Sequence, residues 1–257
     1  MQNFRRLYPE KPLVVALTGT DVYRDIRRRA AARDSLDLAD RIVVLQPLAR
    51  KELAERLRRK SVLIRQSVIM PRVVPAAHPR SFRVTVMANL RWVKDPMRTA
   101  MAARGLPGDS RIQVVHLGRV IEKPFAARVR SEMKQNPRYE WRGELPRGKA
   151  MRLLAGGRLL VLSSRMEGGA NVVSEAIVAG VPVLASRIPG NVGMLGAKYA
   201  GYFPVGDTTA LTRLLWKAET DARFYRSLRR SVLRLAPEFN PGRERAVWKK
   251  VLHELLP

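Results

Sequence analysis

Two carboxylates, Glu167 and Glu175, bracket a glycine turn and the first turns of a predicted helix in the segment Ser164-Arg165-Met166-Glu167-Gly168-Gly169-Ala170-Asn171-Val172-Val173-Ser174-Glu175-Ala176. A carboxylate accepts hydrogen bonds from hydroxyls. Paired glycines let a ligand come close to the backbone, because no side chain stands in the way. Free amides at the start of a helix favour an anionic group. Phosphate at the amides and hydroxyls at the carboxylates together describe a nucleotide-sugar. A glycine turn before a helix recurs throughout α/β proteins and carries little by itself. Each glutamate alone reads equally well as a helix cap or a solvated residue. What makes the segment specific is its whole length, set between two apolar runs, Leu159 to Leu162 and Val181 to Ala185.

The elements that must position this segment follow from hydrophobic runs and breakers. Strands are expected at 11–17, 41–45, 62–64, 82–88, 112–117, 139–142, 159–162 and 181–185, with a last short one at 201–203. Helices are expected at 47–60, from about Pro96, at 147–155 and at 243–256; 188–193, rich in glycine, reads as a loop. In the first of these helices Glu52 with Arg56 and Glu55 with Arg59 have the favourable acid-to-base spacing. Residues 70–80 carry Pro71, Pro75 and Pro79 and read as a linker. Strands alternating with helices predict right-handed crossovers and a mainly parallel sheet covered on both faces. Ligands of such sheets bind beyond the carboxyl ends of the strands, where Lys94, Gly143 and Glu167 all fall. The first unit has about three strands, fewer than the five or six of a complete doubly wound domain.

The chain has 257 residues, 46% of them hydrophobic, and a formal net charge of +27. That excess calls for anionic partners: nucleic acid, an acidic membrane surface or phosphorylated substrates. The arginines are spread along nearly every segment, with no aromatic–basic alternation and no zinc-ligand spacing, so a solvated arginine-rich surface is expected rather than specific nucleic-acid readout. Cysteine is absent, which removes disulfides, thiolate metal sites and cysteine nucleophiles. His78, His116 and His253 show no metal spacing. No apolar run reaches the length of a membrane span and no signal-peptide core opens the sequence, which points to a soluble, cytoplasmic protein.

Glu167 and Glu175, separated by seven residues, resemble the signature of the retaining glycosyltransferases of family 4, which have the GT-B fold of two Rossmann-like domains. Gly180-Val181-Pro182-Val183-Leu184-Ala185-Ser186 and Gly201-Tyr202-Phe203-Pro204-Val205-Gly206-Asp207 fit the same family. Leu17-Thr18-Gly19-Thr20-Asp21-Val22-Tyr23-Arg24-Asp25 and Gly190-Asn191-Val192-Gly193-Met194-Leu195-Gly196 are similar, more narrowly, to the selenosugar synthases of selenoneine biosynthesis. Those enzymes join selenium from selenophosphate to the anomeric carbon of a sugar from UDP-N-acetylglucosamine. The resemblance implies an incomplete acceptor-side domain over residues 1–78, a nucleotide-sugar donor domain over 79–240, and a final helix, 241–257, packed back on the first domain.

The resemblance also implies roles. Lys94 falls where the family places a lysine on the donor diphosphate, and Glu167 where a glutamate lies near the sugar hydroxyls and the reacting face. Gly168, Gly169, Ala170 and Asn171 would offer backbone amides to sugar or phosphate, and Glu175 would hold the ribose hydroxyls. Gly143 and Leu145 would meet the base through their backbone, and Arg165 suits either an anionic acceptor or a surface pair. The family's Gly-Arg-Leu is Ala88-Asn89-Leu90 here, so Asn89 can hydrogen-bond but adds no charge, and another arginine, with Arg91 nearby, would have to assist Lys94. The histidine common in the family's first domain is Thr18. The glycine-rich first loop is missing, which implies an N-terminally truncated first domain. The expected activity is metal-independent hexosyl transfer with retention, the UDP-sugar acting as co-substrate with no further cofactor and selenophosphate as a small anionic acceptor. A hydroxyl acceptor, a non-catalytic nucleotide-sugar-binding remnant, and a basic nucleic-acid-binding protein are the alternatives.

Overall fold

A computed structural model describes residues 1–71 and 81–256 and contains two parallel sheets. The first holds β1 (Val14–Leu17), β2 (Arg41–Val44) and β3 (Ser61–Leu63), in that order. The second holds β4 (Phe82–Met87), β5 (Ile112–Leu117), β6 (Tyr139–Trp141), β7 (Leu159–Leu162), β8 (Val183–Ser186) and β9 (Tyr202–Phe203), ordered β6-β5-β4-β7-β8-β9. Counted from its own first strand this is 3-2-1-4-5-6, the doubly wound order, with its switch point between β4 and β7. β7 and β8 read as continuous apolar runs because helices cover both faces, and every residue of both strands is buried.

The linker expected at 70–80 falls mostly outside the described residues. Among those described, no helix is long and apolar enough to cross a membrane. The surplus arginine goes to solvent: Arg223, Arg226, Arg229, Arg230 and Arg234 are all exposed on the helix Ala222–Leu235, whose Leu228 and Val232 are buried.

Two sequence expectations need correction. Residues 47–60 are not one helix but a 3-10 segment, Pro47–Glu52, and a short helix, Glu55–Arg59. The chain breaks at Leu53 and Ala54, and Ala49, Leu53 and Leu57 all enter the same core. Glu52 consequently pairs with Arg27 and Arg56 with Asp37, and only the Glu55–Arg59 pair forms, at 3.0 Å and fully in solvent. Residues expected as a glycine loop form the helix Pro189–Leu195, with proline in the first turn where its missing N–H costs nothing. Gly190 and Gly193 lie where this helix packs closely on other elements: a Cβ on Gly190 would strike the Glu167 carbonyl, and one on Gly193 the buried Gln46 side chain. The glycines serve helix packing, and their helix-breaking reputation misleads here.

The two sheets meet at the same place. A Cβ on Gly168 would strike the Thr18 carbonyl at the end of β1, and one on Gly169 would stand 2.5 Å from Cβ of Leu45 at the end of β2. The last helix, Pro241–Leu255, returns to the first sheet, where Val251 is buried with Val43, Leu45 and Ile64. Arg41 and Glu254 pair at 3.1 Å beside that contact.

Candidate active site

At the switch point β4 runs out into Ala88-Asn89 and β7 into Ser163-Ser164, leaving a crevice beyond their carboxyl ends. The crevice opens into a cavity of about 490 Å³. Asn89, Lys94, Leu145, Glu167, Gly169, Ala170 and Asn171 line it from the second sheet, and Thr18, Leu45 and Gln66 from the first. Buried His116 holds the floor. Its Nε2 lies 2.8 Å from the Ala88 carbonyl, which only accepts, so Nε2 carries the proton and Nδ1 accepts from the Tyr139 hydroxyl at 2.7 Å. Burial pushes this imidazole down to about 4, so it stays neutral and acts as a fixed donor.

Lys94 and Glu167 form the ionic centre. Lys94 Nζ donates to Glu167 Oε1 at 2.5 Å, and the Ser164 hydroxyl donates to the same oxygen at 2.6 Å. The lysine side chain is 19% exposed and the glutamate 8%, so a ligand can reach the pair although most of it is out of water. The loop carrying Lys94 is held from several sides. The Ser163 hydroxyl donates to the carbonyls of Lys94 at 3.2 Å and Asp95 at 2.9 Å, and Arg165 N donates to the Val93 carbonyl at 2.8 Å. Asp95 has φ of 45°, a left-handed conformation that aspartate tolerates better than most residues. Its carboxylate accepts two bonds from Arg98, at 2.9 and 3.3 Å. Lys94 therefore enters the cavity from a fixed turn.

The glutamate spacing places Glu175 on the helix Asn171–Val178, whose first residue follows Ala170 with no side-chain cap. Ala170, Asn171 and Val172 at its uncapped start face the cavity. Glu175 lies further along the helix and away from the cavity lining, 3.5 Å from Arg147. Burial pushes its carboxyl above the usual range, and Arg147 pulls it back only in part.

Gly143 has φ of 68° and does not itself line the cavity; the turn it makes brings Glu144 and Leu145 to the wall. Gly168 also stands behind the lining, against Thr18, so its missing side chain makes room for the first sheet rather than for a ligand. Arg165 stacks on Trp92, 4.7 Å from the ring centroid, and lies 3.7 Å from Asp95. It acts as a loop brace outside the cavity lining. Sequence reasoning passed over Ser164, Asp95, Arg98 and His116, which place the ligand-facing groups without touching the cavity, and over Gln66, which no motif marks. Among the described residues no group of three His, Cys, Asp or Glu side chains is placed to hold a metal ion.

Solved structures share this architecture at low sequence identity. Anabaena Alr3699/HepE, solved with UDP and glucose, superposes with a TM-score of 0.78 at 14% identity, covering 95% of this chain and 72% of that one. The pneumococcal O-GlcNAc transferase GtfA, solved with UDP and GlcNAc, gives 0.79 at 16% identity, covering 99% of this chain and 55% of that one. Sucrose-phosphate synthase from Thermosynechococcus elongatus gives 0.70 at 18% identity, covering 92% and 64%. The shared fold is GT-B, with this chain spanning little more than half of GtfA. A model of the family described as glycosyl transferases group 1 matches residues 73–232, more than half of the chain. The chain belongs to the group 1 glycosyl transferases.

Proposed function

We propose that this chain moves a hexose, with N-acetylglucosamine the first candidate, from a UDP-sugar to an acceptor with retention at the anomeric carbon. The Lys94–Glu167 pair carries this reading: an ammonium and a carboxylate 2.5 Å apart, beside uncapped helix amides, at the switch point of a doubly wound sheet. Ligands named with HepE and GtfA, UDP with glucose and UDP with GlcNAc, support the donor class. Lys94 would leave Glu167 in part to meet negative charge building on the departing UDP, which is electrostatic catalysis from a preorganised donor. Glu167 would accept from sugar hydroxyls, and Asn171 and its neighbours would offer amides to the diphosphate. Glu175 would reach ribose hydroxyls after exchanging Arg147 for them.

Selenophosphate is the proposed acceptor. Its selenium would bond to the anomeric carbon on the face the diphosphate leaves, as the carbon–oxygen bond breaks; UDP would leave with the electron pair, and the phosphoryl group would stay on selenium until water removes it as phosphate. Such an acceptor is already a strong nucleophile and needs little help from a base. The protein would mainly align the reactants and exclude water. The test is incubation with UDP-N-acetylglucosamine and selenophosphate, with and without EDTA, followed by product mass analysis. A selenosugar mass with released UDP, unchanged by chelator, is expected. A product formed only with sugar or lipid hydroxyls would replace the acceptor, UDP binding without any product would mark a donor-binding remnant, and loss of turnover in EDTA would overturn metal independence.

A further inference from the structure

We propose that Ser186 and Asn191 are positioning residues for Glu167, acting through Ser164; that Glu167 then meets a sugar hydroxyl rests on the donor reading above, whereas the positioning does not. The hydrogen bonds run one way. The Ser164 hydroxyl donates to Glu167 Oε1 at 2.6 Å, and the Ser186 hydroxyl donates to the Ser164 carbonyl at 2.5 Å. Asn191 Nδ2 in turn donates to Ser186, 2.8 Å from its carbonyl and 3.2 Å from its Oγ. Carboxylates and carbonyls only accept, so each serine commits its one proton toward Glu167, and the Asn191 amide must turn its NH2 to Ser186. Ser164, Ser186 and Asn191 are all fully buried. Among the described residues Asn191 Oδ1 is buried without a partner. Native interiors seldom leave a polar atom so. An apolar side chain of similar shape would fill the place with no such orphan, which leaves the two amide donors as the reason for an asparagine here.

Strand register brings these groups together. Leu162 on β7 is paired with Ala185 on β8, so the two strand exits, Ser163-Ser164 and Ser186, lie side by side. The peptide joining Ser164 to Arg165 is gripped there at both ends. Its carbonyl accepts from Ser186, and its N–H donates to the Val93 carbonyl at 2.8 Å. Val93 belongs to the 3-10 turn Trp92–Lys94. One peptide plane therefore sets the loop of Lys94 against the serine that holds Glu167. The helix Pro189–Leu195 closes the arrangement: Gly190 abuts the Glu167 carbonyl with no room for a Cβ, and Asn191, the next residue, reaches back to Ser186. The consequence falls on the two oxygens of Glu167. Oε1 accepts from both Ser164 and Lys94, while among the described residues nothing bonds to Oε2. One oxygen is held and the other is left for a ligand hydroxyl, an assignment that a freely turning carboxylate would lose.

NMR of protein labelled with carbon-13 at the glutamate carboxyls tests this, because it reads Glu167 without turnover. Glu167→Gln identifies the resonance, and Ser164→Ala gives its position once the last link is cut. Ser186→Ala and Asn191→Ala should move the resonance toward that position. Tyr199→Phe is the control: its buried hydroxyl bonds the N–H and carbonyl of Val183 on the same β8, at 3.0 and 2.7 Å, outside this relay, and its loss should leave the resonance in place. Turnover of UDP-N-acetylglucosamine should fall about 10- to 100-fold in kcat for Ser186→Ala and Asn191→Ala, the scale for a reacting group displaced by about 1 Å. UDP affinity by calorimetry should stay at the wild-type value, and Tyr199→Phe should turn over normally. In a Glu167→Gln background Ser186→Ala should cost no further turnover, because the two act as one unit. Thermal melting establishes that each variant is folded, and Ser186→Ala decides if Asn191→Ala is not. An unmoved Glu167 resonance in Ser186→Ala overturns the proposal. Equal movement or an equal loss of kcat in Tyr199→Phe overturns it as a general loosening of β8, and a moved resonance with kcat unchanged overturns the part in transfer. A moved resonance in a protein whose wild type transfers from no UDP-sugar supports the positioning and overturns the donor reading.

Discussion

Removing the cation of the Lys94–Glu167 pair should cost stability as well as turnover. In Lys94→Met the Glu167 carboxylate keeps only the Ser164 hydroxyl, at 2.6 Å, while remaining 8% exposed. Stranding one partner of a fully buried pair costs about 3–5 kcal/mol, and an exposed pair contributes about 0–1 kcal/mol. With Lys94 itself 19% exposed, the expected loss lies between these limits, at about 2–3 kcal/mol. For a chain of this size that lowers Tm by about 4–10 °C. The double variant Lys94→Met/Glu167→Gln carries no stranded charge and keeps an acceptor for Ser164, so it should regain about 2 kcal/mol over Lys94→Met. Urea unfolding of wild type, both single variants and the double closes the cycle. Turnover should fall about 10²- to 10³-fold in Lys94→Met, the scale of a lost transition-state donor, and should not recover in the double. A Lys94→Met protein as stable as wild type, with no recovery in the double, would refute the claim that this pair is a coupled, largely desolvated unit.

Further outcomes follow from the same geometry. Ser164→Ala removes a bond to Glu167 that the cavity cannot replace; a stability loss of about 1 kcal/mol is expected, and turnover should fall more than donor affinity, as steady-state kinetics would show. Glu175 has a raised carboxyl in the folded chain because of burial, so its contribution to stability is present below the unfolded value and lost as pH rises through the folded one. Glu175→Gln should therefore gain stability relative to wild type as pH rises from 4 to 8, about in proportion to the shift, and a pH-independent difference in urea unfolding would contradict this. His116 runs the other way: its imidazole is lowered to about 4, so stability is present above about 6.5 and is lost as pH falls toward 4. The loss should approach about 3 kcal/mol, and NMR titration should find no protonation of His116 above pH 5. Gly168→Ala would drive a methyl into the Thr18 carbonyl and should either cost about 1–3 kcal/mol or part the two sheets, which scattering would register as a larger radius of gyration; an unchanged Tm and radius would refute the tight contact.

Much of the site was legible because its signals are local. Leu159 to Leu162 and Val183 to Ala185 had to be buried strands, the glycines between them had to form a turn, and Glu167 had to stand at a strand end. Lys94 stood out only through its distance from β4 and a family likeness, since one lysine has no local signature. The failures are equally physical. Residues 188–193 carry the glycines of a loop, but those glycines meet Glu167 and Gln46 across the fold, and only the tertiary contact shows that a helix needs them. Residues 47–60 have the charge spacing of one helix, but Glu52 and Arg56 find their partners across the fold, in Arg27 and Asp37, and the segment breaks at Leu53 and Ala54.

By itself the sequence determined a parallel α/β chain, the strand-turn-helix segment with its two glutamates, and an arginine-rich surface. Each of these depends on near neighbours, on hydrophobic period, turn chemistry or composition. Only the tertiary structure decided that Glu167 is bonded to Lys94 and Ser164, that Glu175 pairs with Arg147 outside the cavity lining, and that Arg91 Nε is buried without a partner. It also decided that Gly168 and Gly169 admit the first sheet, whose ends complete the cavity wall. These are pairings across 73 residues for Lys94 and Glu167, and across the two sheets for the glycines. The order in which parallel strands assemble fixes them, and no spacing along the chain records it.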